Sequence, residues 1–202
     1  MFLPLALPLL FFGFVLLLVL LVVMIEVRVL SYAYRKIGVR PRYMFIVLLL
    51  TLVGSQFNIP LYSVTAPSRT VVAINVGGAL VPLLLSVYLF LQLQGLRVRM
   101  LIGTAVVALI VHGLARIVPG VGIAVPMLIP PLVAAGVALI LSFRRAPPVA
   151  YVSGSMGALI GADVSNLHRL AELGAPVVSI GGAGTFDGVF LTGIIEIGRA
   201  HV

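Results

Sequence analysis

The sequence predicts an all-α, polytopic integral membrane protein with about seven transmembrane helices. Hydrophobic residues make up 62% of its 202 residues and charged residues only 9%, whereas a soluble globular domain is about one quarter charged. The apolar residues stand in continuous runs, and a run of about 20 residues is long enough to cross a bilayer. Basic residues stand in short connectors between these runs, which is typical of topology signals. We therefore expect the lipid bilayer as a partner and no binding of nucleic acid.

The predicted helices form a single membrane domain over residues 1–195. Their approximate bounds are 2–24, 43–62, 70–92, 100–118, 122–143, 149–167 and 177–195. The first run lacks a basic n-region and a small-residue cleavage site, so we interpret it as a retained helix. Pro126, Pro130 and Pro131 interrupt the fifth run, and each frees a carbonyl one turn back. Some helices are therefore expected to be kinked or discontinuous.

Basic residues alternate between the connectors. The connectors after the first, third and fifth helices hold five, two and two, those after the second and sixth hold one each, and the turn after the fourth holds none. The positive-inside rule then predicts an N-terminus outside the membrane.

The last residues of the chain receive a separate interpretation. Residues 197–202, IGRAHV, match the translation of a common sequencing-adapter read. We expect residues 196–202 to be an artefact of that kind and the native C-terminus to be missing, so Arg199 and His201 enter no argument about a site.

Strongly polar side chains of the apolar runs fall in one slab of the membrane. At about 1.5 Å of rise per residue, Asp187 lies near the midplane and the others lie in the outer half. The others are Asn58, Asn75, His112, Arg116, Asp163 and Asn166. Such groups must face a partner or water, so we predict that all seven belong to a site for a solute or an ion. Pairing Arg116 with one of the aspartates is the most economical way to neutralise a carboxylate. The alternative to a solute or ion site is that these groups form a purely structural ion pair.

Small residues recur with helical spacing in two runs. They stand four apart, as Ser153, Gly157 and Gly161 and as Gly184, Gly188 and Thr192. This spacing is typical of faces that let helices pack closely.

Glycines also cluster near the starts of two predicted helices, in NVGG and in IGGAG. Glycine there loosens a helix and exposes amide N–H groups, which can bind an anion. We therefore add Gly181, Gly182 and Gly184 to the predicted site. The surrounding segments, VVAINVGGALVP and VVSIGGAGTFDG, match at four of twelve positions, as a parallel repeat would.

Four motifs carry a resemblance to a known family: INVGGALVP, VHGLARIVPGVGIAVPMLIPPL, IGADVSNL and GAPVVSIGGAGTFDGVFLTGI. Together they resemble the prokaryotic membrane-protein family catalogued as domain of unknown function 1614, over about Gly54 to Ile195. The resemblance implies a multi-pass protein of the prokaryotic inner (cytoplasmic) membrane, and it implies no activity.

A second similarity concerns the intramembrane aspartyl proteases related to presenilin, which carry one of two membrane aspartates in a Gly-x-Gly-Asp motif. Gly184-Thr185-Phe186-Asp187 keeps the first glycine and the acid but has Phe186 in place of the second glycine. Asp163 follows Gly161-Ala162, not the expected tyrosine. The resemblance would make Asp163 and Asp187 a catalytic pair, which is the only enzyme that we consider.

Three functions therefore remain open. The first choice is a transporter of a small solute, coupled to a cation or proton. The alternatives are the aspartyl protease and a non-catalytic structural or assembly protein. We expect no cofactor and no metal, because the spacing of His112 and the aspartates does not match a local ligand set. The sequence leaves self-association open.

Overall fold

A computed structural model describes residues 35–39, 41–64, 70–118, 122–126, 128–169 and 177–182, together with Leu17 and Tyr32. Most of these residues are helical, which confirms the predicted helical fold. The α-helices of the described part are α1 (Pro41–Gly54), α2 (Val81–Gln92), α3 (Arg97–Leu114), α4 (Ile129–Ser142) and α5 (Ala146–Ala158). A π-helical segment, Val76–Leu80, leads into α2, and another, Leu159–Asp163, follows α5 and continues as the 3-10 helix Val164–Arg169.

The structure also contains β-strands, which the sequence does not predict. One sheet has the strand order β1 (Asn58–Val64), β2 (Thr70–Asn75) and β5 (Val177–Ile180), and a hairpin joins β3 (Arg116–Val118) to β4 (Gly122–Ala124). The strands replace the ends of predicted helices. Where helices were predicted over 43–62 and 100–118, α1 ends at Gly54 and α3 ends at Leu114; where they were predicted over 70–92 and 122–143, α2 begins only at Val81 and α4 only at Ile129. The sixth predicted helix leaves α-helical geometry after Ala158.

Local sequence explains why these ends are strands. β2 reads TVVAIN and β5 reads VVSI, and β-branched residues favour the extended backbone. β1 contains Pro60 and is an edge strand, where a residue without an N–H group is tolerated. These runs are as apolar as membrane helices, so hydrophobicity alone does not separate the two structures.

The parallel pairing of β2 with β5 reproduces the internal match in the sequence. Val71 lies opposite Val177, and the register continues to Ile74 opposite Ile180. This is the alignment in which VVAINVGG matches VVSIGGAG. The two similar segments are therefore neighbours in one sheet.

The prolines of the fifth predicted helix begin a helix and do not interrupt it. Pro130 and Pro131 lie in the first turn of α4, and Pro126 precedes the helix. The N–H groups of a first turn have no intrahelical acceptor, so proline is tolerated there. α5 begins in the same way with Pro147 and Pro148.

The helices pack around a core that α3 and α5 dominate. The predicted small-residue face is confirmed for Ser153, Gly157 and Gly161: Cβ atoms on the two glycines would collide with Val107 and with the carbonyl oxygen of Ala108, both on α3. The second predicted face, Gly184 to Thr192, lies outside the described residues.

Polar and basic side chains lie at opposite ends of this bundle. We call the first the polar end, which consists of Asn58, Asn75, His112, Asp163, Asn166 and Ser179. We call the second the basic end, which consists of Arg35, Lys36, Arg97, Arg99, Arg144 and Arg145. The connectors of the basic end converge because Ile37, Leu96 and Ala146 share one buried cluster with Leu89 and Met100.

Two continuous helical runs in the described part of the chain are long and apolar enough to cross a membrane, Gln94–Leu114 and Ile129–His168, and the second contains both α4 and α5. Two such runs are fewer than the seven predicted crossings, of which the first and most of the last lie outside the described residues. The count of seven and the outside N-terminus stay predictions, as does the artefact at 196–202.

Candidate functional site

Asn75 organises the polar end. It lies at the junction of β2 with the helical segment Val76–Leu80 and is 4% exposed. Its Oδ1 accepts the N–H of Gly78 at 2.7 Å, and its Nδ2 donates to the carbonyl of Ser55 at 2.8 Å and to Oδ1 of Asn58 at 3.0 Å. Both ends of the amide are therefore engaged by protein, so Asn75 positions the neighbouring groups and has little capacity left for a ligand.

The two glycine-rich turns predicted for the site lie against each other. Gly181 follows β5 with a φ of +70°, a conformation that L side chains rarely adopt. A Cβ on Gly78 would collide with the carbonyl oxygen of Gly181, and a Cβ on Gly181 would lie 2.7 Å from Cβ of Ala79. Both positions therefore need glycine, one for space alone and one for space and conformation.

Asp163 joins the end of α5 to this turn. It is the last residue of the π-helical segment Leu159–Asp163 and is half-buried. Its Oδ2 accepts the N–H of Gly181 at 2.7 Å. Within the described residues, this main-chain amide is the hydrogen-bond partner that we find for the carboxylate.

Of the two pairings considered for Arg116, the one with Asp163 is not present among the described residues. Arg116 is exposed and belongs to β3, where it pairs with Ala124. α3 ends at Leu114 and the chain continues as a strand, so Arg116 does not share a helix face with His112. The pairing of Arg116 with Asp187 lies outside the described part of the chain.

His112 and Asn166 meet beside Asp163. Nδ2 of Asn166 lies 3.5 Å from Nδ1 of His112 and donates to the carbonyls of Ala162, at 2.8 Å, and Gly161, at 3.3 Å. His112 is exposed, whereas Asn166 is only 3% exposed. The two carbonyls engage both N–H groups of the Asn166 amide, so Asn166 acts as a positioning residue.

Ser179 is a member of the polar end that the sequence does not single out. Its Oγ donates to Oδ1 of Asn58, at 2.5 Å. The sequence indicates Ser179 only indirectly: it aligns with Ala73 in the internal repeat and is therefore a polar residue where the other copy has an apolar one. Gly182 donates its N–H to the carbonyl of Ser179 at 2.9 Å and closes the turn.

The groups that remain for a ligand are few and close together. Asn58 is exposed and uses its Oδ1 internally, which leaves its amide N–H groups as donors, while the Asp163 carboxylate offers acceptor positions. Their anchors, Ser179 and Gly181, are two residues apart and thus at most about 7 Å from each other. Such a pair suits a small solute or a cation with a polar shell.

Two predicted site residues, Asp187 and Gly184, lie outside the described residues, so the pairing of Asp163 with Asp187 is not tested. In the described part of the chain, no three His, Cys, Asp or Glu side chains are close enough to hold a metal ion.

Comparison with known proteins places this chain in a family. Residues 20–197 match the family described as Protein of unknown function (DUF1614). The chain belongs to this family. The match begins well before Gly54, the approximate start of the resemblance noted in the sequence, and it includes every residue of both ends of the bundle. No curated protein and no solved structure matches, so the similarity of this DUF1614 protein to presenilin-like proteases is not supported.

Proposed function

We propose that this DUF1614 protein is an integral membrane protein that moves a small polar solute or a cation across the bilayer, with the polar end as its binding site. The observation that carries the proposal is Asp163. A half-buried carboxylate at the end of a broken helix, held by a main-chain amide, is a group that can accept and release a cation.

The outer surface of the helices supports a membrane location. Only 33% of the most apolar window of Gln94–Leu114 and 39% of that of Ile129–His168 are buried, less than expected of core helices in a soluble protein. Leu109 is 75% exposed and Ile140 is 85% exposed. Contact of such side chains with water costs free energy, whereas contact with hydrocarbon tails does not.

The geometry of the polar end supports transport over a passive structural role. Helices give way there to π-helical turns and strand ends, and irregular backbone at membrane depth is tolerated where it lines a cavity or is buried in protein. Transporters build their binding sites at discontinuous helices of this kind. With the basic end in the cytoplasm, as the positive-inside rule favours, the polar end would take its ligand from the outer side.

The test is flux through proteoliposomes that contain the full chain. Uptake of protons and of sodium ions is followed with entrapped dyes under an imposed diffusion potential, and uptake of radiolabelled small polar solutes is followed in parallel. We expect Asp163→Asn to reduce the flux about tenfold or more, because the amide keeps an acceptor for the N–H of Gly181 but removes the charge that would bind the ligand, and a contact to a charged group contributes about 1.5–3 kcal/mol. Gln94→Lys makes the same change in net charge at an exposed position near the basic end and should leave the flux unchanged.

Wild-type liposomes that carry protons, sodium ions and solutes no faster than empty ones would contradict the proposal. If Asp163→Asn then lowers thermal stability without any flux to lose, the structural or assembly function is the better account. Cleavage of a transmembrane peptide that depends on both Asp163 and Asp187 would instead support the protease.

A further inference from the structure

The basic end carries a second binding surface, independent of the polar end. Its six cations come in pairs from three connectors: Arg35 and Lys36, Arg97 and Arg99, and Arg144 and Arg145. Among the described residues, the single acidic side chain is Asp163, at the other end of the bundle. The positive charge of this end is therefore not neutralised by the described part of the chain.

Some of these cations have partners within the described part of the protein, and others do not. Arg97 donates from Nε to the carbonyl of Phe90 at 2.8 Å and from Nη2 to that of Leu91 at 3.0 Å, so it closes the end of α2. Lys36 lies over the ring of Tyr32, 5.3 Å from its centroid. Arg144 and Arg145 are exposed, and within the described residues neither has a hydrogen-bond or ion-pair partner.

Arg99 lies next to these two arginines. Its Nη1 donates to Oγ of Ser142 at 3.0 Å, at the last residue of α4. Arg144 and Arg145 follow two and three residues later. The fold thus brings three arginines together where α3 begins and α4 ends, and the planar fork of each guanidinium group can bind a pair of phosphate oxygens.

The apolar neighbours of this cluster indicate the kind of anion. Phe143 is 81% exposed, Val98 is 68% exposed and Leu91 is 59% exposed. Phe143 and Val98 are each adjacent in sequence to an arginine of the cluster, and the carbonyl of Leu91 accepts a hydrogen bond from Arg97 at the same end. A soluble anion would neutralise the charges but leave these side chains in water, whereas a phospholipid has a phosphate and acyl chains at the same place.

We propose that Arg99, Arg144 and Arg145 bind the headgroups of anionic phospholipids, with Phe143 and Val98 against the acyl chains. The binding is selective for anionic over zwitterionic lipid, because a zwitterionic headgroup brings its own cation to the phosphate. It also weakens as salt is raised.

The experiment uses the full chain in detergent, titrated with fluorescent phosphatidylglycerol and with phosphatidylcholine of the same acyl chains. We expect selective binding of phosphatidylglycerol by the wild type. The double variant Arg144→Gln/Arg145→Gln should bind it roughly 30-fold more weakly, since each basic residue near an anionic surface strengthens binding about 5-fold. Arg116→Gln removes a charge from an exposed residue outside the basic end and is the matched control that should bind normally.

Two results would overturn the proposal: equal binding of both lipids by the wild type, or an equal loss in Arg116→Gln. A titration with inorganic phosphate separates the sources of the anion, and phosphate that displaces the lipid at matched concentration would assign the site to a free anion. If the glutamine variant does not fold, Arg144→Lys/Arg145→Lys keeps the charges and loses the guanidinium forks. Reduced but still selective binding by that variant supports the proposal, and unchanged binding contradicts the role of the forks.

Discussion

The polar and basic ends of the bundle terminate the same helix in opposite ways. The helical run Val76–Gln92 begins at the polar end, where Oδ1 of Asn75 accepts a main-chain N–H, and it finishes at the basic end, where Arg97 donates to two main-chain carbonyls. Free N–H groups at a helix start need acceptors, and free carbonyls at a helix end need donors. The chemistry of each end therefore follows from the direction of the helix that meets it.

The two ends differ in how much backbone they leave irregular. At the basic end, regular helices are joined by one-turn 3-10 segments over a buried apolar cluster. At the polar end, two π-helical segments and a three-stranded sheet meet. Irregular backbone needs partners from side chains, so the polar end depends on particular hydrogen bonds and the basic end on packing. Substitutions that break this contrast have effects of different size.

The largest effect is expected at Gly181. Gly181→Ala would force a side chain into a left-handed conformation, which costs about 1–2 kcal/mol, and against Ala79, where overpacking costs about 1–3 kcal/mol. We expect a loss of about 3 kcal/mol, measured by thermal or denaturant unfolding in detergent. Gly136→Ala is the control, because a Cβ there meets nothing within 4 Å and alanine favours a helix by about 0.5–1 kcal/mol. Equal losses in both variants would mean that the turns of the polar end do not touch.

Asn75→Ala should follow. The variant loses the cap on Gly78 and two donated hydrogen bonds, and we expect a destabilisation of about 2 kcal/mol. Asn58→Ala, at an exposed position, should cost less than half as much. Asn75→Asp keeps the acceptor for Gly78 but loses the donors to Ser55 and Asn58. A stability between those of the wild type and Asn75→Ala would show that the acceptor and the donors of the amide both contribute. Asn75→Ala with wild-type stability would show that Asn75 does not organise this end.

The smallest effect is expected at the basic end. Arg97→Gln removes the hydrogen bonds to Phe90 and Leu91, and we expect a loss of about 1 kcal/mol in lipid-free detergent. Arg145→Gln removes an exposed charge without a described partner and should change the unfolding free energy by less than about 0.5 kcal/mol. A larger loss at Arg145 than at Arg97 would reverse the assignment of structural and lipid-binding roles within this end.

Several features could be predicted because they depend on composition or on short spacings. The basic residues stand in alternate connectors, and the structure brings three of these connectors together at one end. The four-residue spacing of Ser153, Gly157 and Gly161 predicts a close helix contact, and α3 provides it. The family membership is likewise carried by sequence motifs, and the matched range confirms it.

The strands and the partners at the polar end could not be predicted. Hydrophobicity is the same for an apolar strand and for half of a membrane helix, so the hydrophobicity of VVAIN and VVSI does not predict a sheet, although their β-branched residues favour an extended backbone. Their pairing joins residues about a hundred positions apart, and no local pattern reports such a contact. The sequence left open which aspartate Arg116 pairs with, and it placed Arg116 on one helix face with His112, whereas the helix ends at Leu114.

By itself, the sequence determined a largely helical, apolar protein of a recognisable family, with most of its basic residues in alternate connectors. These properties depend on composition and on the order of residues along the chain, so they do not depend on which distant residues come into contact. Only the tertiary structure decided that Gly78 and Gly181 touch, that Asn75 is saturated by protein, and that Asp163 is held by an amide. Those facts depend on the register of a parallel strand pair, which long-range packing fixes and which a single residue type does not encode.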